Sequence, residues 1–167
     1  INELPSTKLL DNIDRVFGIK SPRHHGFGVV DTIKAMYEGD VKVFIGLGGN
    51  FAVATPDTPY TQEGLRRCDL TVQIATKLNR SHLVCGKEAL LLPCLGRTEI
   101  DMQQHGPQAV SVEDSMSNVH LSAGRNEPAS KNLLSEPDIV ARMAAAVLPD
   151  SDIKWKWYVE SSDRIRD

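Results

Sequence analysis

"VKVFIGLGGNFAVATPDTPYTQEGLRRCDLTVQIAT", residues 41–76, carries two apolar runs separated by a glycine-rich break and a polar helical stretch. "VKVFIGL" is rich in β-branched residues and reads as a buried-type strand, as does "DLTVQIAT". "YTQEGLRRC" between them reads as a helix despite Gly64. Further on, "EALLLP" is a third strand candidate, reached through a short helix around "LNRSHLVCG". Strand, helix, strand, short helix, strand is the alternation of a parallel sheet covered by helices, so the predicted class is α/β. Right-handed crossovers place the loops after each strand on a common edge.

Two helices precede this core. Leu9, Leu10, Ile13, Val16 and Phe17 recur at helical spacing, with Ser6 or Thr7 as cap and Gly18 just past the end. After the turn-rich "SPRHHGFG", Val29, Val30, Ile33, Met36 and Tyr37 mark a second helix closed by Gly39. Beyond Pro93 the pattern loosens into the period-two "AVSVEDSM", read as an additional edge strand, and "HLSAGRNEPASKNLLSEP" is read as loop. Ser135 then caps a helix through a capping-box-like S-x-x-D with Asp138, with Ile139, Val140, Met143, Ala144, Val147 and Leu148 on one face. The tail "IKWKWYVESSDRIRD" has no evident partner, and Trp155 and Trp157 suit packing on a neighbouring domain.

Composition narrows the classes. The 167 residues suit one domain, read as an α/β core over residues 1–150 with residues 151–167 as a tail to the next domain. With 41% apolar and 25% charged residues the chain is expected to fold, and a net charge of −3 without basic clusters favours neither nucleic acid nor a membrane surface. No run approaches the roughly 20 apolar residues of a membrane span, and no signal peptide opens the chain, so a cytoplasmic location is expected. Cys68, Cys85 and Cys94 lack CxxC spacing and are read as buried thiols. His24 and His25 are read as a surface pair, and His82, His105 and His120 as locally hydrogen-bonded, so no metal site is assigned. The start at Ile1 rather than Met and the stop at Asp167 read as a piece of a longer chain.

In open α/β sheets ligands bind beyond the carboxyl ends of the strands, and "GLGGN" stands at such an end. Gly46, Gly48 and Gly49 permit positive φ and close backbone approach, and Asn50 can cap or bind. As a dinucleotide fingerprint the loop fails, since no glycine completes G-x-G-x-x-G, and a turn without ligand stays open. The loop after the middle strand gathers Thr76, Lys77, Asn79, Arg80, Ser81 and His82, donors suited to a phosphate, ribose or base edge or simply to solvent. Glu136, in the first turn of its helix, is stabilised by the dipole with or without a ligand.

"VKVFIGLGGNFAVATPDT" (41–58), "CDLTVQIATKLNRSHLVCGKEALLLPCLGRTEID" (68–101), "VSVEDSMSNVHLSAGR" (110–125) and "SEPDIVARMA" (135–144) resemble the central domain of molybdopterin-dependent oxidoreductases of the formate-dehydrogenase-like kind. The resemblance implies a three-layer open, mainly parallel sheet with helices on both faces, dinucleotide-binding-like. It implies a domain that grips one guanosine half of a bis-molybdopterin guanine dinucleotide within a larger, four-domain chain. Molybdenum, and any iron–sulfur cluster of the parent, would be held outside this stretch, so no catalytic residue is expected here. Carried over by motif, Gly48, Gly49 and Asn50 contact the cofactor, Thr76, Lys77 and Asn79 follow the next strand, and Glu136 lies near the guanine. Arg125 falls in "SAGR", which looks like the family's E-G-R turn. Phe51 stands where the family has a loop proline, Thr76 and Lys77 stand where it has an acidic turn residue, and Glu99 lacks its accompanying tryptophan. The rival readings are a free-standing flavodoxin-like nucleotide-binding or interaction module without redox activity, and a packing domain that binds no nucleotide.

Overall fold

The computed structural model describes residues 5–166, so Ile1 and Asp167, on which the reading of a cut piece rested, lie outside the described residues. The chain is α/β, built on a three-stranded sheet ordered β1 (Val43–Leu47), β2 (Leu70–Ala75), β3 (Glu88–Pro93). The strands are parallel, because the bonded partners advance together. Asp69 N donates to Lys42 O and Gly48 N to Ile74 O, and Lys87 N donates to Cys68 O and Cys94 N to Ala75 O. This arrangement is compatible with a Rossmann-like sheet. The expectation of a buried β1 is corrected. Its residues alternate between half-buried and exposed, with Val43, Ile45 and Leu47 half exposed, whereas Thr71, Val72, Gln73 and Ile74 of β2 are buried. β1 and β3 are edges and β2 is the centre, so position in the sheet outweighs composition.

Two compact units share these strands, the first taking residues 5–45, 50–72 and 79–90 and the second residues 46–49, 73–78 and 91–166. The first unit is helical around its strand segments. α1 (Thr7–Phe17) is capped by Ser6, whose Oγ accepts from Leu9 N, and stopped by Gly18 at φ +64°. α2 (Val29–Glu38) ends at Gly39, as expected. The four-residue α3 (Phe51–Ala54) follows Asn50, and α4 (Thr58–Arg67) starts from Asp57, whose carboxylate accepts from Tyr60 N. Ile33, Met36, Ala52, Leu65, Cys68 and Val84 form one core, with Phe44 and Phe51 packed against it, their rings tilted with centroids 4.8 Å apart. Gly64 is explained by that packing. A Cβ there would lie 3.3 Å from both Ile33 O and Met36 Cβ, so α2 and α4 approach closely because the residue has no side chain.

In the second unit the sequence expectations fare less well. "AVSVEDSM" does not extend the main sheet. Its residues Ala109–Glu113 (β6) pair antiparallel with Val119–Ala123 (β7), all but the first residue of which falls in the segment read as loop. Asp114 makes the turn by accepting from the N–H groups of Met116 and Asn118. A smaller hairpin joins β4 (Met102–Gln103) to β5 (Gly106–Pro107). α5 (Glu136–Val147) begins after Ser135 as predicted, but Ser135 makes no side-chain cap and Asp138 is turned to a bidentate pair with Arg142. Of its expected apolar face Ile139 is buried, while Val140, Val147 and Leu148 are exposed. The tail has partners after all. It forms α6 (Trp155–Val159), packed on α5, and α7 (Asp163–Arg166), and Gln108 Oε1 accepts from Ser162 N at 2.6 Å while Arg166 donates to Ala109 O. Trp155 and Trp157 sit on a helix rather than an extended segment. Among the described residues no helix is long and apolar enough to cross a membrane.

Candidate functional site

In the second unit the end of β1 and the start of α5 come together. Gly48 and Gly49 both have positive φ, +64° and +67°, which side-chain-bearing residues rarely adopt. Gly48 N extends the ladder by donating to Ile74 O at 2.7 Å. A Cβ on Gly48 would stand 3.8 Å from Glu136 Oε1, and one on Gly49 would meet nothing within 4 Å, so the glycine backbone faces open space. Glu136 is half buried, and among the described residues no hydrogen bond or ion pair engages its carboxylate. It stands in the first turn of α5.

Glu136 reaches this rim through a backbone splice. Cys94, just past β3, forms a parallel bridge with Leu134, and Leu95 N donates to Leu134 O at 2.9 Å. Thr76 and Lys77, past the end of β2, are exposed. Thr76 Cγ2 lies 3.8 Å from where a Cβ on Gly96 would be, so the turns after β2 and β3 adjoin. A cleft of about 230 Å³ opens among Gly96, Glu99, Ser122, Ser135, Glu136 and Ser162. Cys94 is buried beside it. Burial first, then the charges of Glu136 and Glu99, push its thiol pKa up, which favours the protonated thiol.

Glu99 has a different role from Glu136. Its Oε2 accepts from Gly96 N at 2.6 Å and its Oε1 from Ala129 N at 2.8 Å, and these bonds hold its pKa below the usual carboxylate range. Arg125 enters through its backbone, its N–H donating to Thr98 O, with the side chain exposed.

Asn50 and Asn79 belong to the first unit, where Ser81 organises both. Ser81 Oγ accepts from Ala52 N at 2.9 Å and therefore donates its own hydrogen to Asn50 Oδ1 at 3.1 Å. That bond fixes the orientation of the Asn50 amide. Asn79 Oδ1 accepts from Ser81 N while His82 Nδ1 accepts from Asn79 N, a reciprocal cap on the 3-10 helix Arg80–Leu83. His82 thus makes the local bond expected of it, as does His120 with Asp114, whereas the partner of His105 is Arg164, 59 residues away. Ser81, expected only as one of several donors facing a ligand or solvent, is instead buried and holds the loop together. The spacing N-x-S-H was its signal, a capping pattern within a loop read only for its polarity. Cys68 is buried as expected, with its thiol pKa raised by burial, but Cys85 is only half buried and donates to His82 O. His24 and His25 lie exposed in the loop before α2.

No protein-family model matches the chain. The chain is 53% identical over 161 residues, 96% of its length, to a protein of Mycobacterium tuberculosis (strain H37Rv) named uncharacterized oxidoreductase Rv2900c. It is equally similar to the Mycobacterium bovis protein named uncharacterized oxidoreductase Mb2924c, and 45% identical over 166 residues, 99% of its length, to Protein YdeP of Escherichia coli K12. The chain spans about a fifth of the length of these curated relatives, 21% of the mycobacterial proteins and 22% of YdeP.

Proposed function

We propose that this chain is the guanine-nucleotide-binding part of a formate-dehydrogenase-like molybdopterin oxidoreductase, one domain fragment of a larger multidomain enzyme. In that reading it holds one half of a bis-molybdopterin guanine dinucleotide, and the molybdenum of the parent supplies the two-electron oxidation or reduction of a small substrate. The fragment alone is inactive, and its partners are the remaining domains of the parent chain. Three things support this: the motifs and their order, the oxidoreductase names of the mycobacterial relatives, and their roughly fivefold greater length.

The observation that carries the reading is the pairing of a bare backbone with an unspent carboxylate. Gly48 and Gly49 leave room for a ribose or pyrophosphate to lie against the main chain, and Glu136 Oε1 stands 3.8 Å from the Cβ that Gly48 lacks. A guanine edge presents two adjacent donors, N1–H and the exocyclic amine, which a carboxylate accepts through both oxygens. Lys77, exposed after β2, supplies a cation for phosphate, and Thr76 a hydroxyl. Asn50 and Asn79 are proposed contacts on sequence position alone.

Titration of the 167-residue chain with GMP and AMP tests this. GMP is expected to bind preferentially, and Glu136→Gln, which replaces one acceptor by a donor, to lose at least about tenfold in GMP affinity, the cost of one mismatched charged hydrogen bond. Equal binding of GMP and AMP, or specific binding of a flavin or nicotinamide nucleotide instead, overturns the reading in favour of a flavodoxin-like module.

A further inference from the structure

Two glutamates line the same cleft, and the structure treats them oppositely. Glu136 spends neither oxygen on the described residues, whereas Glu99 spends both, on Gly96 N at 2.6 Å and Ala129 N at 2.8 Å. Those two donors belong to different segments. Gly96 lies in the turn after β3, beside Thr76, and Ala129 lies in the stretch that leads to α5.

That stretch is laid along the turn from its beginning. Arg125 N and Asn126 N both donate to Thr98 O at 2.9 Å, Ile100 N donates to Asn126 O, and Gly124 lies so close that a Cβ on it would come within 1.9 Å of Glu99 O. Its end is fastened at Leu134, which pairs with Cys94 and Leu95, and Glu136 follows two residues later. Between Asn126 and Leu134 the tie back to the turn after β3 is the Glu99 side chain at Ala129. Charge-assisted bonds to backbone N–H are about twice as strong as neutral ones, and only a carboxylate offers two acceptors at this reach.

We propose that Glu99 is the positioning residue of the nucleotide rim, clamping the segment that delivers Glu136 to the turn that carries Gly96 and adjoins Thr76. This rests on the guanine-nucleotide reading above. Glu99 touches no ligand. It sets the spacing between the groups that do, so its loss lowers affinity for any nucleotide without changing which base is preferred. Glu136, by contrast, decides the base.

Calorimetric titration of the 167-residue chain with GMP and AMP separates these roles. Glu99→Gln is expected to weaken GMP binding about tenfold or more with the GMP-to-AMP ratio unchanged, and Glu136→Gln to collapse that ratio. Wild-type affinity in E99Q overturns the proposal. Failure of the wild-type chain to bind GMP refutes instead the nucleotide reading beneath it. Should E99Q not fold, the wild-type chain still decides. A ligand that binds only the clamped rim raises the cost of opening it, so saturating GMP is expected to slow amide exchange at Gly96 and Ala129. Unchanged exchange at both overturns the proposal.

Discussion

The two units are held together by bonds of different reach. In the first, helix ends are closed by neighbours in the chain, Ser6 to Leu9, Asp57 to Tyr60 and Asn79 to Ser81, around one apolar cluster, and the farthest polar side-chain bonds, Ser81 to Asn50 across 31 residues and Arg67 to Tyr37 O across 30, reach no further than that. In the second, polar side chains span long separations. Glu99 reaches Ala129 across 30 residues, Gln108 reaches Ser162 across 54, and Arg166 reaches Ala109 O across 57. Local capping and an apolar core make a unit whose parts resist single changes by degrees. Long-range polar ties make one that fails where a single crossing point is lost.

The sharpest test of this contrast is Gly124→Ala. The new Cβ would fall 1.9 Å from Glu99 O, so the crossing cannot form without backbone movement, and a loss of more than about 4 kcal/mol is expected, enough to unfold the second unit. Exchange protection lost across β6 and β7 but kept in α2 and α4 is the expected pattern. Uniform loss, or none, breaks the comparison.

Leu65→Ala comes next. Leu65 is fully buried in the first unit's core, and its truncation is expected to cost about 3 kcal/mol in urea denaturation, with the helices still formed. Acid follows. The folded-state pKa of Glu99 lies below its ordinary value of 4.5, so its contribution is present above that value and is lost as pH falls through the lowered one. Asp14 is depressed likewise by its bonds to Ser21, then by Arg23. Asp14 ties residues only 7 apart, so on titration below about pH 4 the Ala129 amide is expected to lose protection before the Ser21 amide. The reverse order counts against long reach as the weak point.

The smallest effects come from one strand shared by both units. Thr71 is satisfied, its Oγ1 accepting from Gly86 N at 3.1 Å, while Gln73 two residues on is buried with no partner for Nε2 among the described residues. Thr71→Val is expected to destabilise by about 1 kcal/mol and Gln73→Met to stabilise by about as much, since one breaks a buried bond and the other removes an unmade one. Same-sign shifts in melting temperature would remove that distinction.

Legibility in the sequence followed the same divide. Thr7–Phe17 with its Ser6 cap and Gly18 stop, the helix closed at Gly39, and the strand Glu88–Pro93 were all readable, because a cap, a stop or a short apolar run acts within a few residues. Val119–Ala123 was not, since its strand state depends on pairing with Ala109–Glu113. Ser135 was read correctly as the N-cap position of α5, but its side chain makes no capping bond, and the Asp138 that should have completed the box is held by Arg142. At the rim, residue types pointed to Gly48, Gly49 and Glu136, while nothing in their spacing showed that Glu99 would be consumed by Gly96 and Ala129.

Chain order alone dictated the α/β alternation, the ends of the early helices and the bare backbone after β1, because each depends on contacts between near neighbours. Folding alone decided that β1 is an exposed edge, that the tail packs on α5, and that of two glutamates at one cleft the first is bound and the second left with its lone pairs unspent. The reason is physical. Burial and hydrogen-bond saturation are properties of what surrounds a group, and in the second unit those surroundings arrive from tens of residues away.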